Sequence, residues 1–235
     1  MKNNLFKILV LMLLVVFLTA FSFVKNENRK IDFKHINFIN TDLKFITIDS
    51  VNKMLKQSKL FSKESLKSDL NLVNIEKIIL DNAFISSAEA SLGLDGQLGI
   101  ILEEKSPVLR VLKGDFYIDS KGNKMPLSNV FSQRIPLLLS NVDSSYFRKL
   151  GSLGNYVKNN MFLSKHISGL ELVDKDLVFY VNGFKYVIEI NGFKNYKSKF
   201  KNYELFFRSV YSEGILDSIK SINLNFKNQV IVQKI

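Results

Sequence analysis

Few residues of this sequence are spaced for chemistry, and each set has a structural use that explains it as well. His35 and His166 are its two histidines; neither has a partner at metal-ligand spacing, and both stand beside apolar, strand-like residues. Glu103 and Glu104 suggest a general acid and base, but neighbours in a strand point to opposite faces and cannot share a site. Asp119 and Gly122 fit a turn, since no Gly-rich passage from strand to helix follows that could cradle a phosphate. Ser62-Lys63 and Ser164-Lys165 are isolated dipeptides without the motifs that support a Ser–Lys nucleophile, and no G-x-S-x-G elbow occurs. Cysteine is absent, which excludes thiolate catalysis, thiolate metal sites and disulfide staples, and fits an oxidising compartment. No catalytic residue, metal ligand, cofactor site or small-molecule substrate is therefore assigned.

The elements that would carry any function begin with an anchor. Ile8 to Val24 runs seventeen residues without a charge, interrupted only by Thr19 and Ser22. As a helix it covers roughly 26 Å, close to the thickness of a bilayer core. A cleaved signal peptide is the rival reading, with Ala20-Phe21-Ser22 as its site. The run exceeds the usual apolar region of about 7–15 residues, however, and bulky Phe21, Phe23 and Val24 crowd that site, so a retained anchor is expected. Lys2 and Lys7 on one side face Lys25, Arg29, Lys30 and Lys34 on the other, so charge bias does not set the orientation. A short tail inside and a long translocated domain outside is the simpler placement.

The remainder is long enough for one large or two small domains. The chain is 46 % hydrophobic overall, so the remainder folds rather than staying disordered. The net charge of +11 is spread among Asp, Glu and Asn instead of gathering into a face with aromatics, so no nucleic-acid surface is read from it. After a juxtamembrane linker at 25–31, Phe33–Phe38 alternates as a strand, and Thr47 caps a helix carrying Val51, Met54 and Leu55. A polar interval over Lys59–Asp69 follows, then a second helix with Asn74 as its N-cap and Ile75, Ile78 and Ile79 on one face. Ala88–Leu94, the Asp95-Gly96 turn and Gln97–Glu104 read as a hairpin, which completes a β-α-α-β-β unit.

Beyond Pro107, strands are expected at Val108–Leu112, Phe116–Asp119, Lys124–Leu127, Ile135–Leu139, Ile167–Leu172, Leu177–Val181 and Lys185–Ile190. Leu150–Phe162 reads as a helix, and Tyr196, Phe200, Tyr203, Phe207, Val210 and Tyr211 share one face of another, with Gly214 as its C-terminal cap. Ile222, Leu224 and Phe226 alternate again, and Val230 and Val232 finish the chain in strand after the Lys227-Asn228 break.

Specific stretches of this layout resemble the bacterial cell-division family FtsQ/DivIB. Asn82-Ala83-Phe84-Ile85-Ser86-Ser87-Ala88 is similar to its Asn-Pro-aromatic-Val/Ile-x-x-Ala segment, and Leu98–Pro107 to its L-x-I-x-V-x-E-x-x-P strand. Tyr117–Gly122, followed by Arg134-Ile135-Pro136-Leu137, is similar to its Y-x-D-x-x-G hairpin and R-x-P-L strand, and Ile222–Val230 to its closing D-L-R-Y-x-x-G strand. Ala83 replaces the usual Pro, Asn225 stands where Arg is common, and the closing Gly is missing near Gln229.

The resemblance implies an α+β fold: a cytoplasmic tail (1–7), a transmembrane helix (8–24), a linker (25–31), a POTRA domain (32–105) and a mainly antiparallel β-domain with a packed helix (106–235). It implies a non-enzymatic divisome scaffold in the cell inner membrane, spanning it once with a cytoplasmic N-terminus and concentrated at the septum. FtsB and FtsL are its implied partners. The surface expected to bind them is an edge strand made of Asn223, Leu224, Asn225, Phe226, Lys227, Asn228, Gln229, Val230, Ile231 and Val232, where strand addition is available. The alternatives are a POTRA protein of outer-membrane assembly or secretion, which predicts a following barrel, and an anchored enzyme, which predicts a polar-lined pocket. Neither is expected.

Overall fold

The computed structural model describes residues 2–27, 32–39, 42–58, 70–93 and 95–235, without the side chains of 2–5, 26, 27 and 32–35. Most of the expected linker, the polar interval at 59–69, Ser62-Lys63, Arg29 and Lys30, and the side chains of Lys2, Lys34 and His35 lie outside what is described. The chain divides into two compact units, residues 1–104 and 105–235.

Helix α1 spans Lys2–Glu27. Within it Phe6–Lys25, twenty residues at a mean hydropathy of 2.6, is apolar all round and is not buried among the described residues. At 1.5 Å per residue it reaches about 30 Å. A helix with apolar residues on every side and no protein core around it fits a single-pass membrane protein.

The rest of the first unit runs β1 (Asp32–Phe38), α2 (Ile48–Gln57), α3 (Leu72–Leu80), β2 (Ile85–Leu92) and β3 (Gln97–Glu104). Strand β3 is central, parallel to β1 and antiparallel to β2. Val51 and Leu55 of α2 and Ile75 and Ile79 of α3 are fully buried with Leu98, Ile100 and Leu102 of β3, so each helix lays its apolar stripe on the sheet. Thr47 caps α2, its hydroxyl accepting from Ser50 N–H. The cap of α3 is Asn71, not Asn74: Asn71 Oδ1 accepts the Asn74 N–H at 3.1 Å, which puts Asn74 inside the first turn. Glu103 and Glu104 diverge as alternation requires. Glu103 accepts from the Ser87 hydroxyl, whereas Glu104 accepts three successive backbone N–H groups, from Lys44, Phe45 and Ile46, at 2.7–3.0 Å.

The second unit comprises β4 (Pro107–Val111), β5 (Phe116–Asp119), β6 (Lys124–Pro126), β7 (Leu137–Leu138), α4 (Phe147–Asn159), α5 (Leu163–His166), β8 (Ile167–Val173), β9 (Asp176–Val181), β10 (Val187–Ile190), α6 (Tyr196–Val210), β11 (Ile219–Asn223) and β12 (Ile231–Lys234). They form one sheet in the order β12-β11-β10-β9-β8-β7-β4-β5-β6. The sheet is mixed and mainly antiparallel, with five antiparallel pairs and parallel pairs at β10/β11, β7/β8 and β4/β7. Two of these follow from helical crossovers, α6 between β10 and β11 and α4–α5 between β7 and β8, since parallel neighbours need such a connection.

Strand register carries two unbroken rows across this sheet. Val111, Leu138, Leu170, Phe179, Ile188, Ile222 and Val232 are successive partners and are apolar throughout. Leu150, Leu153 and Val157 of α4 and Phe200 and Tyr203 of α6 pack into the same core. The neighbouring row, Arg110, Leu137, Gly169, Tyr180, Val187, Ser221 and Gln233, points to the opposite face. Helix α4 begins and ends three residues earlier than its apolar spacing predicts. It stops where Asn160 Oδ1 accepts the N–H groups of Phe162 and Leu163 and so starts α5.

Candidate functional site at the terminal hairpin

The residues expected to form one edge strand, Asn223–Val232, form a hairpin instead. Asn223 ends β11, an interior strand with β10 on one side and β12 on the other. Leu224 is buried, and its N–H donates to Glu189 O at 3.0 Å, which extends the β10/β11 pairing by one step. Phe226, Lys227, Asn228 and Gln229 form the exposed turn, with Asn228 at φ 58°, a conformation that Asn tolerates better than most residues. Val230 and Val232 are half-buried against the core, and Ile231 faces out. The true edge is β12, Ile231–Lys234, so Gln233 and Lys234 belong to it although sequence reasoning left them out.

Asn225 holds the base of this hairpin. Its Oδ1 accepts the Asn191 N–H at 2.5 Å and the Lys199 ammonium at 3.3 Å, while its own N–H donates to Asn223 Oδ1 at 2.9 Å. Burial lowers the Lys199 pKa, with Asp176 opposing that shift. The position where Arg is common in the resembling motif thus holds a side chain engaged within its own fold.

Ile235 N–H donates to Ser218 O, so the N–H groups at alternate positions, Val232 and Lys234, point away from β11. Beside this open flank stand Phe226, Ile231 and Ile235, exposed by 52, 43 and 84 %. The opposite edge differs: β6 is three residues long and includes Pro126, which has no N–H to offer.

Two polar features lie elsewhere in this unit. His166 is buried, and its Nε2 bonds the Tyr203 hydroxyl, which lies 2.8 Å from the Tyr186 hydroxyl. Phe162 and Phe207 enclose the imidazole, each 4.6 Å away between ring centroids. Burial lowers the His166 pKa to about 4 and raises that of Tyr186 to about 12. The second feature is a cavity of about 380 Å³ whose wall combines Arg110, Arg134 and neutral polar side chains with apolar Ile135, Pro136, Leu137 and Ile167, a pocket that sequence reasoning did not expect.

The family model described as FtsQ/DivIB, C-terminal related matches residues 106–233, more than half of the chain and almost all of the second unit. The chain belongs to the FtsQ/DivIB family. Membership points to a role in cell division. Among solved structures, the major extracytoplasmic domain of the trans isomer of the bacterial cell division protein DivIB from Geobacillus stearothermophilus is similar at 11 % identity and a TM-score of 0.36, covering 47 % of this chain and 97 % of that one. No curated protein matches this FtsQ/DivIB chain.

Proposed function

We propose that this protein is a non-enzymatic scaffold of the division machinery that binds FtsB/FtsL-type subunits by strand addition to β12. In this reading α1 anchors the chain in the inner membrane with its N-terminus in the cytoplasm. Residues 32–105 act as a POTRA-like domain that helps recruitment to the septum, and residues 106–235 form the partner-binding β-domain. The observation that carries the proposal is the open flank of β12. Outward N–H groups at Val232 and Lys234 and exposed Phe226 and Ile231 give an incoming strand both hydrogen bonds and apolar contacts. The β-α-α-β-β order of the first unit, with β3 between β1 and β2, supports the POTRA-like assignment.

Lys234→Pro tests the interface directly. It removes one outward donor and leaves the pairing with β11 in place, because proline is tolerated on an edge. Full-length protein extracted from membranes should co-purify FtsB/FtsL-type subunits, and the variant should lose them while keeping its thermal midpoint. Retained co-purification by the folded variant would move the interface off β12. Depletion of the protein should yield filaments with segregated chromosomes; normal septation would remove the division role.

A further inference from the structure

We infer that the cavity beside Arg110 is a binding site for a carboxylate carried by a peptide segment. Arg110 lies on β4 in the row that faces away from the helices, with Leu137 and Gly169 as its successive partners across β7 and β8. Among the described residues, its Nε is the buried side-chain nitrogen without an acceptor. A guanidinium keeps its charge at any physiological pH, so burial without an acceptor costs stability that a bound anion restores. Arg134, on the same cavity wall, also has no acceptor among the described residues, and no Asp or Glu lines the space.

Two of the neutral donors on the wall are already in use. Ser168 Oγ donates to Tyr180 O at 3.1 Å, and Asn182 Nδ2 to Lys165 O at 2.8 Å. The two guanidiniums are the charged donors left for a ligand, with the Gln133 amide beside them, and they match a planar carboxylate through paired N–H groups. At about 380 Å³ the cavity sits near the lower end of the range of roughly 300–1,000 Å³ that holds small ligands, so it takes a side chain or a chain end. Acceptor oxygens left on the wall, such as Asn182 Oδ1, suit peptide N–H groups next to the carboxylate, which favours a peptide over a bare inorganic anion. The net charge of +11 steers acidic segments toward it.

This site is separate from the β12 flank. Six strand spacings of about 4.8 Å place β4 roughly 29 Å from β12 along the sheet. The two surfaces can therefore succeed or fail independently.

The test follows the Arg110 Nε–Hε resonance of the wild-type full-length chain in detergent micelles at constant ionic strength. It is titrated with the α-amide of N-acetylglutamate, whose single charged group is the side-chain carboxylate, with N-acetylglycine, whose carboxylate is a chain end, or with inorganic phosphate. A saturable shift is expected with a carboxylate probe; the first probe identifies an acidic side chain as the source, the second a chain end. Arg134→Gln, an exposed position, should weaken that response about ten-fold, the effect of one charge-assisted hydrogen bond. No saturable shift with either carboxylate, or saturation by phosphate alone, would overturn the assignment. An unchanged response in Arg134→Gln would do so as well.

Discussion

Asn225 Oδ1 accepts the backbone N–H of Asn191, which ties the end of β10 to the segment that leaves β11. The bond fixes where the terminal hairpin starts and therefore where β12 lies. Asn225→Ala removes the acceptor from both Asn191 and Lys199. The expected loss is about 1 kcal/mol, because these partners are exposed and water replaces part of the bond. Thermal unfolding of the full chain in detergent measures it, and amide exchange should rise at Asn191 and along β12 before it rises elsewhere in the sheet.

Glu104 does the corresponding work in the first unit, where its carboxylate collects the N–H groups of Lys44, Phe45 and Ile46 ahead of α2. Phe45 and Ile46 are buried, so their N–H groups have little access to water once the carboxylate is gone. Glu104→Ala should cost about 3 kcal/mol, with Glu104→Gln intermediate because one acceptor oxygen remains. Glu103→Ala, which loses only an exposed bond to Ser87, should change stability by less than about 1 kcal/mol. Equal effects from the two alanine variants would remove this account of the motif's acidic residue.

Gly151 sits where α4 crosses the β5–β6 hairpin. A Cβ there would come within 2.6 Å of Asp119 O and 2.8 Å of Gly122 N, both backbone atoms that cannot swing aside. Asp119 is itself buried and braced, accepting from the N–H groups of Lys121 and Asn123. Gly151→Ala should therefore destabilise by about 2 kcal/mol although alanine is the better helix former. Ser152→Ala, on the exposed next position, should move the midpoint little; the two melting curves decide it.

The turns of this fold were readable in the sequence because their residues carry the reason for the turn. Gly96, Gly183 and Gly192 all have positive φ and each follows an Asp or Asn; the Asp95-Gly96 pair makes the turn between β2 and β3 that the hairpin reading requires. The apolar faces of α2 and α6 were readable from their spacing for a similarly local reason. The cap of α3 was less so: Asn71 and Asn74 both suit an N-cap, and only the formed helix shows which side chain reaches the free N–H. The parallel pairings of β7 and β11 were not readable, since alternation sets which face a side chain takes but carries no strand direction. The hairpin at the C-terminus and the cavity at Arg110 were missed for the same reason. Both depend on which strands become neighbours, and Arg110 is an ordinary polar residue in its strand until Leu137 and Gly169 lie beside it.

His166 gives the fold a dependence on pH whose sign follows from its surroundings. The imidazole bonds Tyr203, and Phe162, Phe184 and Phe207 enclose it, with the charged form disfavoured by burial. Its pKa falls from an ordinary 6.5 to about 4 on folding, so between those values the unfolded chain binds more protons than the folded one. The contribution is complete above about pH 6.5 and is lost as pH falls toward 4, reaching roughly 3 kcal/mol. Carboxylates titrate in the same window, so the readout is the difference between wild type and His166→Phe. That variant fills the aromatic site without a proton to bind, and Tyr203 keeps Tyr186 as a partner. Wild type should lose stability more steeply than the variant from pH 6.5 to 4, and parallel curves would show that His166 takes up its proton equally well in the folded chain.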